Sequence, residues 1–351
     1  MILDSCRVPI VLAPLASGPS TPELTAAVSE AGGLGFLATG YLTGADAAER
    51  IRRTRQLTGR PFGVNVFVPG SPAPASVVEP YAAALAGVAG EVGVSLGRPV
   101  FEDDDWDAKI AALLADPVPV VSFTFGFPDP GTVARLHEAD SEVWLTVGTV
   151  AEARAAADHG PDVLVVQGAE AGGHRGGLDD EPGAAVGLLA LLQLTAGQVD
   201  LPLVGSGGIA TGGGIAAALC AGASAAALGT AFLDTLEAGT ATVHREALHR
   251  GGSTALTRAF TGRTARGIRN RMLDAYSGVA PRAYPEVHHL TAPLRQAGRG
   301  QGNVDVVNLW AGEAFTLSRR VPAGELVRTL ARETDEALRR AAAIVSRAAT
   351  G

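Results

Sequence analysis

The chain has 351 residues, of which 47% are hydrophobic and 18% charged, and its formal net charge at pH 7 is −8. This composition excludes a disordered or fibrous protein. The acidic balance, without any block of lysine or arginine, argues against sequence-independent binding of nucleic acid or of anionic membranes. We therefore expect a globular protein that binds any acidic ligand through local features.

Neither export nor a membrane span is indicated by the sequence. Cys6 and Cys220 are too few for a disulfide framework and fit no zinc-ligand spacing, so no metal site is expected. The first apolar run stops at Pro14 and is too short for a secretory signal. No apolar stretch reaches the roughly 20 residues that a membrane span needs. These features predict a cytoplasmic protein.

Short apolar runs alternate along the chain with amphipathic runs rich in Ala, Glu and Arg. The predicted strands are residues 10–15, 34–38, 62–68, 118–124, 142–147, 163–167, 201–205 and 225–228. Continuous apolar strands separated by helices indicate a parallel sheet that is covered on both faces. Eight such units predict an α/β fold, a closed (β/α)8 TIM barrel, with an open doubly wound sheet as the alternative.

Two segments do not follow this alternation. Residues 69–99 are rich in Pro, Ala and Gly and are expected to extend one loop that contains a helical patch from Val77 to Val88. Residues 231–321 are expected to be mostly helical and polar. We therefore predict a barrel over residues 1–230, an additional C-terminal helical region or lid over 231–321, and a final helix within 322–351 that packs on the barrel.

Glycine clusters at the ends of predicted strands. Ser206, Gly207 and Gly208 follow the seventh predicted strand, and Gly229 and Thr230 follow the eighth. Bare backbone N–H groups at these two strand ends form the usual phosphate site of barrel enzymes. The alternative is that the glycines only permit tight turns. Two such turns at adjacent strand ends favour the phosphate site.

A second glycine-rich loop follows the sixth predicted strand. That strand ends at Gln167, whose amide can hydrogen-bond the edge of a heterocycle, and Gly172 and Gly173 let the loop present His174 to a ligand. An imidazole exchanges a proton near neutral pH, which suits general acid–base catalysis. We therefore predict that His174 is a catalytic residue.

The other charged and imidazole groups are weaker candidates. Glu170 and Arg175, in the same loop as His174, either act at the site or only tie the loop down. Four further histidines are expected to be solvated helix residues: His137, His159, His244 and His249.

Several motifs resemble those of nitronate monooxygenases, formerly called 2-nitropropane dioxygenases. The resemblance spans nearly the whole chain, including the helical region in which related barrels diverge. Its motifs are Pro-Ile-Val-Leu-Ala-Pro at 9–14, Ser-Thr-Pro-Glu-Leu at 20–24, Ala-Gly-Gly-Leu-Gly at 31–35, Phe-Gly-Val-Asn-Val-Phe-Val-Pro at 62–69, Gln-Gly-Ala-Glu-Ala-Gly-Gly-His-Arg-Gly at 167–176, Leu-Gly-Thr at 228–230, Thr-Gly-Arg-Thr-Ala-Arg-Gly at 261–267 with Asn270, and Asn-Leu-Trp-Ala-Gly at 308–312.

The resemblance implies an FMN enzyme that oxidises alkyl nitronates, or nitroalkanes, with O₂ to a carbonyl compound and nitrite. His174 matches the catalytic histidine, and protonated His174 or an inward-pointing Arg175 would favour an anionic nitronate. Neutral His174 could instead remove the α-proton of a nitroalkane. The residues that match FMN contacts are Ala13, Pro14, Asn65, Gln167, Gly172, Gly173, Ser206, Gly207, Gly208, Gly229 and Thr230.

Leu12, Leu15, Ala227 and Glu313 depart from the family pattern, and Glu313 would add a negative charge to the substrate pocket if it pointed there. Three functions remain open: nitronate oxidation, an NAD(P)H-dependent flavin reductase acting on quinones or enoyl thioesters, and non-catalytic FMN binding. The motif around Trp310 favours the first. The sequence leaves both a monomer and a homodimer open.

Overall fold

In the computed structural model, which describes residues 1–178, 180 and 186–349, eight parallel strands form one sheet with helices around it. The strands of the described chain are β1 (Ile10–Leu12), β2 (Gly35–Ala38), β3 (Phe62–Phe67), β4 (Val120–Thr124), β5 (Glu142–Val147), β6 (Val163–Gln167), β7 (Gly173–His174), β8 (Leu203–Ser206), β9 (Ala225–Leu228), β10 (Thr254–Thr257) and β11 (Ala265–Ile268). The helices are α1 (Pro22–Glu30), α2 (Gly44–Leu57), α3 (Ala75–Val92), α4 (Trp106–Ala115), α5 (Pro130–Glu138), α6 (Val150–Ala157), α7 (Leu188–Ala196), α8 (Gly212–Cys220), α9 (Thr242–Arg250), α10 (Arg271–Tyr276), α11 (Glu286–Gln301) and α12 (Ala323–Ala349).

The eight-stranded sheet closes on itself. Its order is β1-β9-β8-β6-β5-β4-β3-β2, and all seven of these neighbouring pairs run parallel. A parallel bridge between Val11 and Leu34 joins the two ends, with the Leu12 amide donating to the Leu34 carbonyl at 2.9 Å. The predicted TIM barrel is therefore confirmed. Strand β1 is shorter than predicted because Pro14 has no N–H for the ladder.

Side-chain caps explain where several barrel helices begin. The hydroxyl of Thr21 accepts a hydrogen bond from the Leu24 amide at 3.0 Å, and Pro22 occupies the first turn of α1. Thr149 caps α6 and Thr211 caps α8 in the same way. Such a hydroxyl satisfies an amide that has no partner within the helix, so it fixes the residue at which the helix starts.

Alternation along the strands determines which side chains face the barrel interior. Successive residues of a strand point to opposite faces, and the barrel-strand residues that line the central cavity all come from one of the two alternating sets of each strand. The apolar members of this set include Val11, Phe36 and Trp144, and the last two pack with ring centroids 5.4 Å apart. Asn65 and Gln167 lie on the same inward face nearer the carboxyl ends of their strands. The barrel thus has an apolar floor and polar groups above it.

A second hydrophobic core lies outside the barrel. Tyr81 and Leu85 of α3 pack there with Phe260, Met272 of α10 and Leu290 of α11. The antiparallel sheet β10-β11-β7 connects this core to the loop that carries His174. Residues 231–321 thus contain two strands besides helices α9 to α11. These four-residue strands are too short to leave a periodic signal in the sequence.

Helix α12 packs on α8 and α1, and its buried face includes Leu326, Val327 and Leu330. Cys6 and Cys220 are free thiols. Within residues 1–178, 180 and 186–349, no helix combines the length and the apolar character needed to cross a membrane.

Candidate functional site

A cavity of about 330 Å³ lies at the carboxyl ends of the barrel strands, and Trp310, which packs against the second core, forms part of its wall. The sheet brings its lining together from distant parts of the chain, as the pairing of Gln167 with Ser206 illustrates. All twelve site residues that the sequence singled out line this cavity: Ala13, Pro14, Asn65, Gln167, Gly172, Gly173, His174, Ser206, Gly207, Gly208, Gly229 and Thr230.

The turn after β8 presents backbone donors to the cavity. Gly207 and Gly208 have φ angles of 127° and 67°, which favour glycine. Their amides, and that of Gly229 after β9, donate to no acceptor within the described residues. Thr230 accepts a hydrogen bond from the Gly312 amide at 3.0 Å, so its hydroxyl hydrogen remains available. This donor set, without a carboxylate among it, fits a phosphate group.

Two amide side chains, those of Asn65 and Gln167, also line the cavity. Asn65 donates to the carbonyl and hydroxyl of Ser122 at 3.2 and 3.0 Å, which leaves its Oδ1 as an acceptor. Gln167 donates to the His174 carbonyl at 3.0 Å and accepts from the Gly176 amide at 2.9 Å. The Gln167 side chain therefore bridges two backbone groups of the loop that follows it, and it retains one N–H for a ligand.

His174 lies at the cavity wall, and its Nε2 is 2.9 Å from the hydroxyl oxygen of Thr261. Three rings surround the imidazole edge-on, with centroids 5.5, 5.9 and 5.4 Å away in Phe125, Tyr284 and Trp310. Burial, followed by the charges of two nearby arginines, lowers the pKa of His174 to about 3. The imidazole is therefore neutral at physiological pH, and the protonated form considered from the sequence is not the resting state.

Two buried arginines, Arg263 and Arg295, and the more exposed Arg299 supply positive charge around the cavity. The guanidinium of Arg263 lies 4.3 Å from the centroid of the Phe125 ring. Arg295 is 2% exposed and donates to the hydroxyl of Thr291 at 3.1 Å, while Arg299 lines the cavity. Within the described residues, neither Arg295 nor Arg299 forms an ion pair with a carboxylate. The surroundings of His174 therefore favour an anionic ligand over a cationic one.

The charged side chains in the loop that carries His174 do not contribute to the charge of the cavity. Arg175 does not point into the cavity, because its guanidinium donates to the carbonyls of Gly168 and Ala169 at 2.9 and 2.7 Å. The Glu170 carboxylate accepts from the Leu188 amide, 3.0 Å away at the start of α7. Both side chains therefore tie the loop down, which is the second of the two roles that the sequence allowed.

The four departures from the family pattern lie in different surroundings. Leu12 is buried in the main core, whereas Leu15 and Ala227 line the cavity and can reshape its wall. Glu313 pairs with Arg266 at 3.0 Å and is 54% exposed, and it does not line the cavity. The carboxylate of Glu313 therefore adds no negative charge to the lining of this cavity.

His244 was wrongly predicted to be a solvated helix residue. It is 8% exposed and lines the cavity, and burial lowers its pKa to about 4. A signal was present in the sequence, since His244 lies on the same face of α9 as Ala247 and Leu248, which are also buried.

Sequence reasoning also missed Tyr41, Phe125, Thr261, Tyr284 and His288. Tyr41 stacks on His288 with centroids 4.0 Å apart and planes 5° apart, and both belong to the group that surrounds the cavity and His174. Tyr41 and Phe125 have φ angles of 67° and 75°, although neither is a glycine. Each of these two directly follows a barrel strand or its short extension, where barrel enzymes place site residues.

Comparison with known proteins gives a consistent result. Residues 2–333 match the nitronate monooxygenase family. A nitronate monooxygenase of Pseudomonas aeruginosa is 42% identical over 340 residues, which cover 93% of this chain and 95% of that protein. A probable nitronate monooxygenase of Staphylococcus aureus is 33% identical over 350 residues, covering 95% and 96%.

Two solved structures are similar along almost the whole chain. Nitroalkane oxidase from Streptomyces ansochromogenes superposes with a TM-score of 0.94 at 50% identity, covering 97% of this chain and 99% of that one. FabK from Thermotoga maritima superposes with a TM-score of 0.77 at 25% identity, covering 98% and 97%. By sequence and by structure, this chain belongs to the nitronate monooxygenase family, flavin-dependent oxidoreductases that act on nitronates or nitroalkanes.

Proposed function

We propose that the flavin of this enzyme is non-covalently bound FMN and that its substrate is an alkyl nitronate, oxidised with O₂ to a carbonyl compound and nitrite. The observation that carries the proposal is the set of amides at Gly207, Gly208 and Gly229, which have no acceptor in the part of the chain that the structure describes and lie next to the hydroxyl of Thr230. An FMN phosphate would be bound by these groups without a lysine.

The remaining predicted residues would orient the rest of the cofactor. The Oδ1 of Asn65 and the free N–H of Gln167 would hydrogen-bond the polar edge of the ring system, with Ala13 and Pro14 against it. FMN, when bound, supplies the redox chemistry with the substrate and with O₂. Gly172 and Gly173 would let the loop backbone lie close to it.

The charges around the cavity support an anionic substrate. Neutral His174 does not repel a nitronate, and the charges of Arg263, Arg295 and Arg299 favour its approach. For a nitroalkane, His174 would first remove the α-proton. The same positive charges that disfavour the imidazolium would stabilise the nitronate produced by that proton transfer. We assign His174 as the catalytic residue for this step.

We also propose that residues 231–321 act as a lid together with α3. Support comes from Trp310 and Thr261, which approach His174 from that side. A closed cavity would exclude water from the reacting groups. The division into a barrel of residues 1–230, a lid and a helix of 322–351 is the simplest arrangement consistent with this role.

The experiment is to purify the protein, release its flavin by heat and identify it by mass spectrometry. O₂ consumption and nitrite release are then measured with a nitronate in the absence of NADH. Stoichiometric FMN and both products support the proposal. The reductase alternative predicts that NADH bleaches the flavin anaerobically and that nitronate has no effect, and FAD in the released fraction would contradict the cofactor assignment.

A further inference from the structure

Thr261 is 1% exposed and lies in the turn between β10 and β11. Its hydroxyl oxygen is 2.9 Å from the Nε2 of His174 and 3.2 Å from the carbonyl oxygen of Arg263. A hydroxyl has a single hydrogen to donate, whereas its oxygen can accept from several donors. The direction of these two hydrogen bonds is therefore linked.

The carbonyl of Arg263 decides the direction. A carbonyl oxygen only accepts, and within the described residues the Thr261 hydroxyl is its hydrogen-bond donor. If that hydroxyl instead donated to His174, the carbonyl of the largely buried Arg263 would lose its donor among the described residues, which is unfavourable. The hydroxyl therefore donates to Arg263, and its oxygen can only accept from the Nε2–H of His174.

The other imidazole nitrogen is differently placed. Nδ1 of His174 hydrogen-bonds no described group, and it is not among the buried atoms that lack a partner, so it is open to the cavity that the residue lines. The rings of Phe125, Tyr284 and Trp310 limit rotation of the imidazole. An imidazole held in this orientation presents one nitrogen to the Thr261 hydroxyl and the other to a ligand.

We propose that Thr261 is a positioning residue that keeps the proton of neutral His174 on Nε2 and so makes Nδ1 the base that faces the substrate. The inference rests on the proposed function of His174. With a nitroalkane, the α C–H bond breaks and the proton binds Nδ1, while the electron pair forms the C=N bond of the nitronate and the charge resides on its oxygens. The resulting imidazolium still donates from Nε2 to Thr261.

Three variants separate this role from packing. Thr261→Val keeps the shape of the side chain but removes the acceptor, and Thr261→Ser keeps the hydroxyl. Thr264→Val is the matched control, because Thr264 is equally buried in the same turn and donates its hydroxyl to the Asp180 carbonyl at 2.9 Å instead of contacting His174.

The first measurement is nitrogen NMR of the flavin-loaded protein with ¹⁵N-labelled histidine, with the His174 signals assigned by their loss in His174→Asn. We expect a protonated, pyrrole-like Nε2 and a pyridine-like Nδ1 in the wild type, in Thr261→Ser and in Thr264→Val. Thr261→Val should shift His174 toward the opposite tautomer. A proton on Nδ1 in the wild type, or an unchanged tautomer in Thr261→Val, would overturn the inference.

Steady-state kinetics supply the second measurement. In Thr261→Val we expect kcat/KM for a nitroalkane to fall about tenfold or more, since a misplaced proton removes the base. The value for the preformed nitronate should change much less, and Thr261→Ser should restore most of the activity. Equal losses on both substrates would indicate a packing effect and contradict the proposal. If the wild type oxidised neither substrate, the proposed function would fail while the tautomer measurement still decided the role of Thr261.

Discussion

Gly172 lies against the backbone of Gly312, so that a Cβ at position 172 would stand 2.4 Å from the Gly312 nitrogen. That same amide donates to the hydroxyl of Thr230 at 3.0 Å. The His174 loop, the 308–312 segment and the end of β9 therefore meet at one point. Each is fixed by contact with the other two.

Gly172→Ala tests this close approach. The added methyl group would meet backbone atoms that cannot rotate away, so we expect a destabilisation of about 1–3 kcal/mol together with loss of bound flavin. Thermal unfolding and flavin absorbance after desalting measure the two effects. Gly90→Ala is the control, since a Cβ there meets nothing within 4 Å and lies in helix α3. Similar behaviour of the two variants would show that the contact is unimportant.

Gly208→Asp tests the phosphate site. Two unit charges about 4 Å apart near a protein surface repel by about 4 kcal/mol, which corresponds to a loss of FMN affinity of about a thousandfold. Gly213→Asp, which adds the same charge nearby but outside the cavity lining, controls for charge alone, since Gly213 lacks the positive φ angle that strains any side chain at position 208. Fluorescence titration of each apoprotein with FMN gives the dissociation constants of the two variants. Retention of wild-type affinity by Gly208→Asp would remove the phosphate from this turn.

Arg299→Met tests the role of positive charge at the cavity. Arg299 is one of the residues that line the cavity, and its Nη1 donates to Asn308 Oδ1 at 3.2 Å. We expect kcat/KM for an anionic nitronate to fall about tenfold, which is an effect of about 1.4 kcal/mol, while that for a neutral nitroalkane changes less. Arg271→Met, which removes an exposed charge, is the control. Equal effects on the two substrates would exclude electrostatic attraction by Arg299.

The buried histidines predict how stability depends on pH. Burial lowers the pKa of His174 to about 3 and that of His244 to about 4, and it holds the pKa of His288 well below 6.5. Below pH 6.5 the unfolded chain therefore binds up to three more protons at these residues than the folded chain. Burial raises the pKa of Asp104 to about 6, so between pH 3.8 and 6 the folded chain holds one extra proton there.

Below pH 6 the unfolded chain therefore binds about two protons more than the folded chain. The free energy of unfolding should fall by about 2.7 kcal/mol per pH unit in this range. The stabilisation from neutral histidines is complete above pH 6.5 and is lost as the pH falls toward 4. Urea denaturation at pH 7, 6 and 5 measures this slope, and His244→Gln should reduce it by about one proton. A free energy that does not change between pH 7 and 5 would contradict the burial of neutral imidazoles.

The barrel could be predicted because strands buried on both faces read as continuous apolar runs. His174 and the turns proposed to bind phosphate were local signals, each carried by glycines after a strand. The group around His174 was not visible in the same way, since Tyr41, Thr261 and His288 lie far apart along the chain and meet only through tertiary packing. Strands β10 and β11 were missed because four residues are too short for a periodic signal, whereas the apolar face of α9 that includes His244 was present in the sequence and was overlooked.

The central claim is that His174 acts on the substrate rather than on the fold. The most direct test is steady-state turnover of His174→Asn and His174→Ala on a nitroalkane and on its preformed nitronate, with nitrite release and flavin content measured together. We predict a loss of about 10²–10⁴-fold on the nitroalkane, a much smaller loss on the nitronate, and unchanged FMN content. Unchanged turnover of both substrates, or loss of FMN in parallel with activity, would contradict the claim.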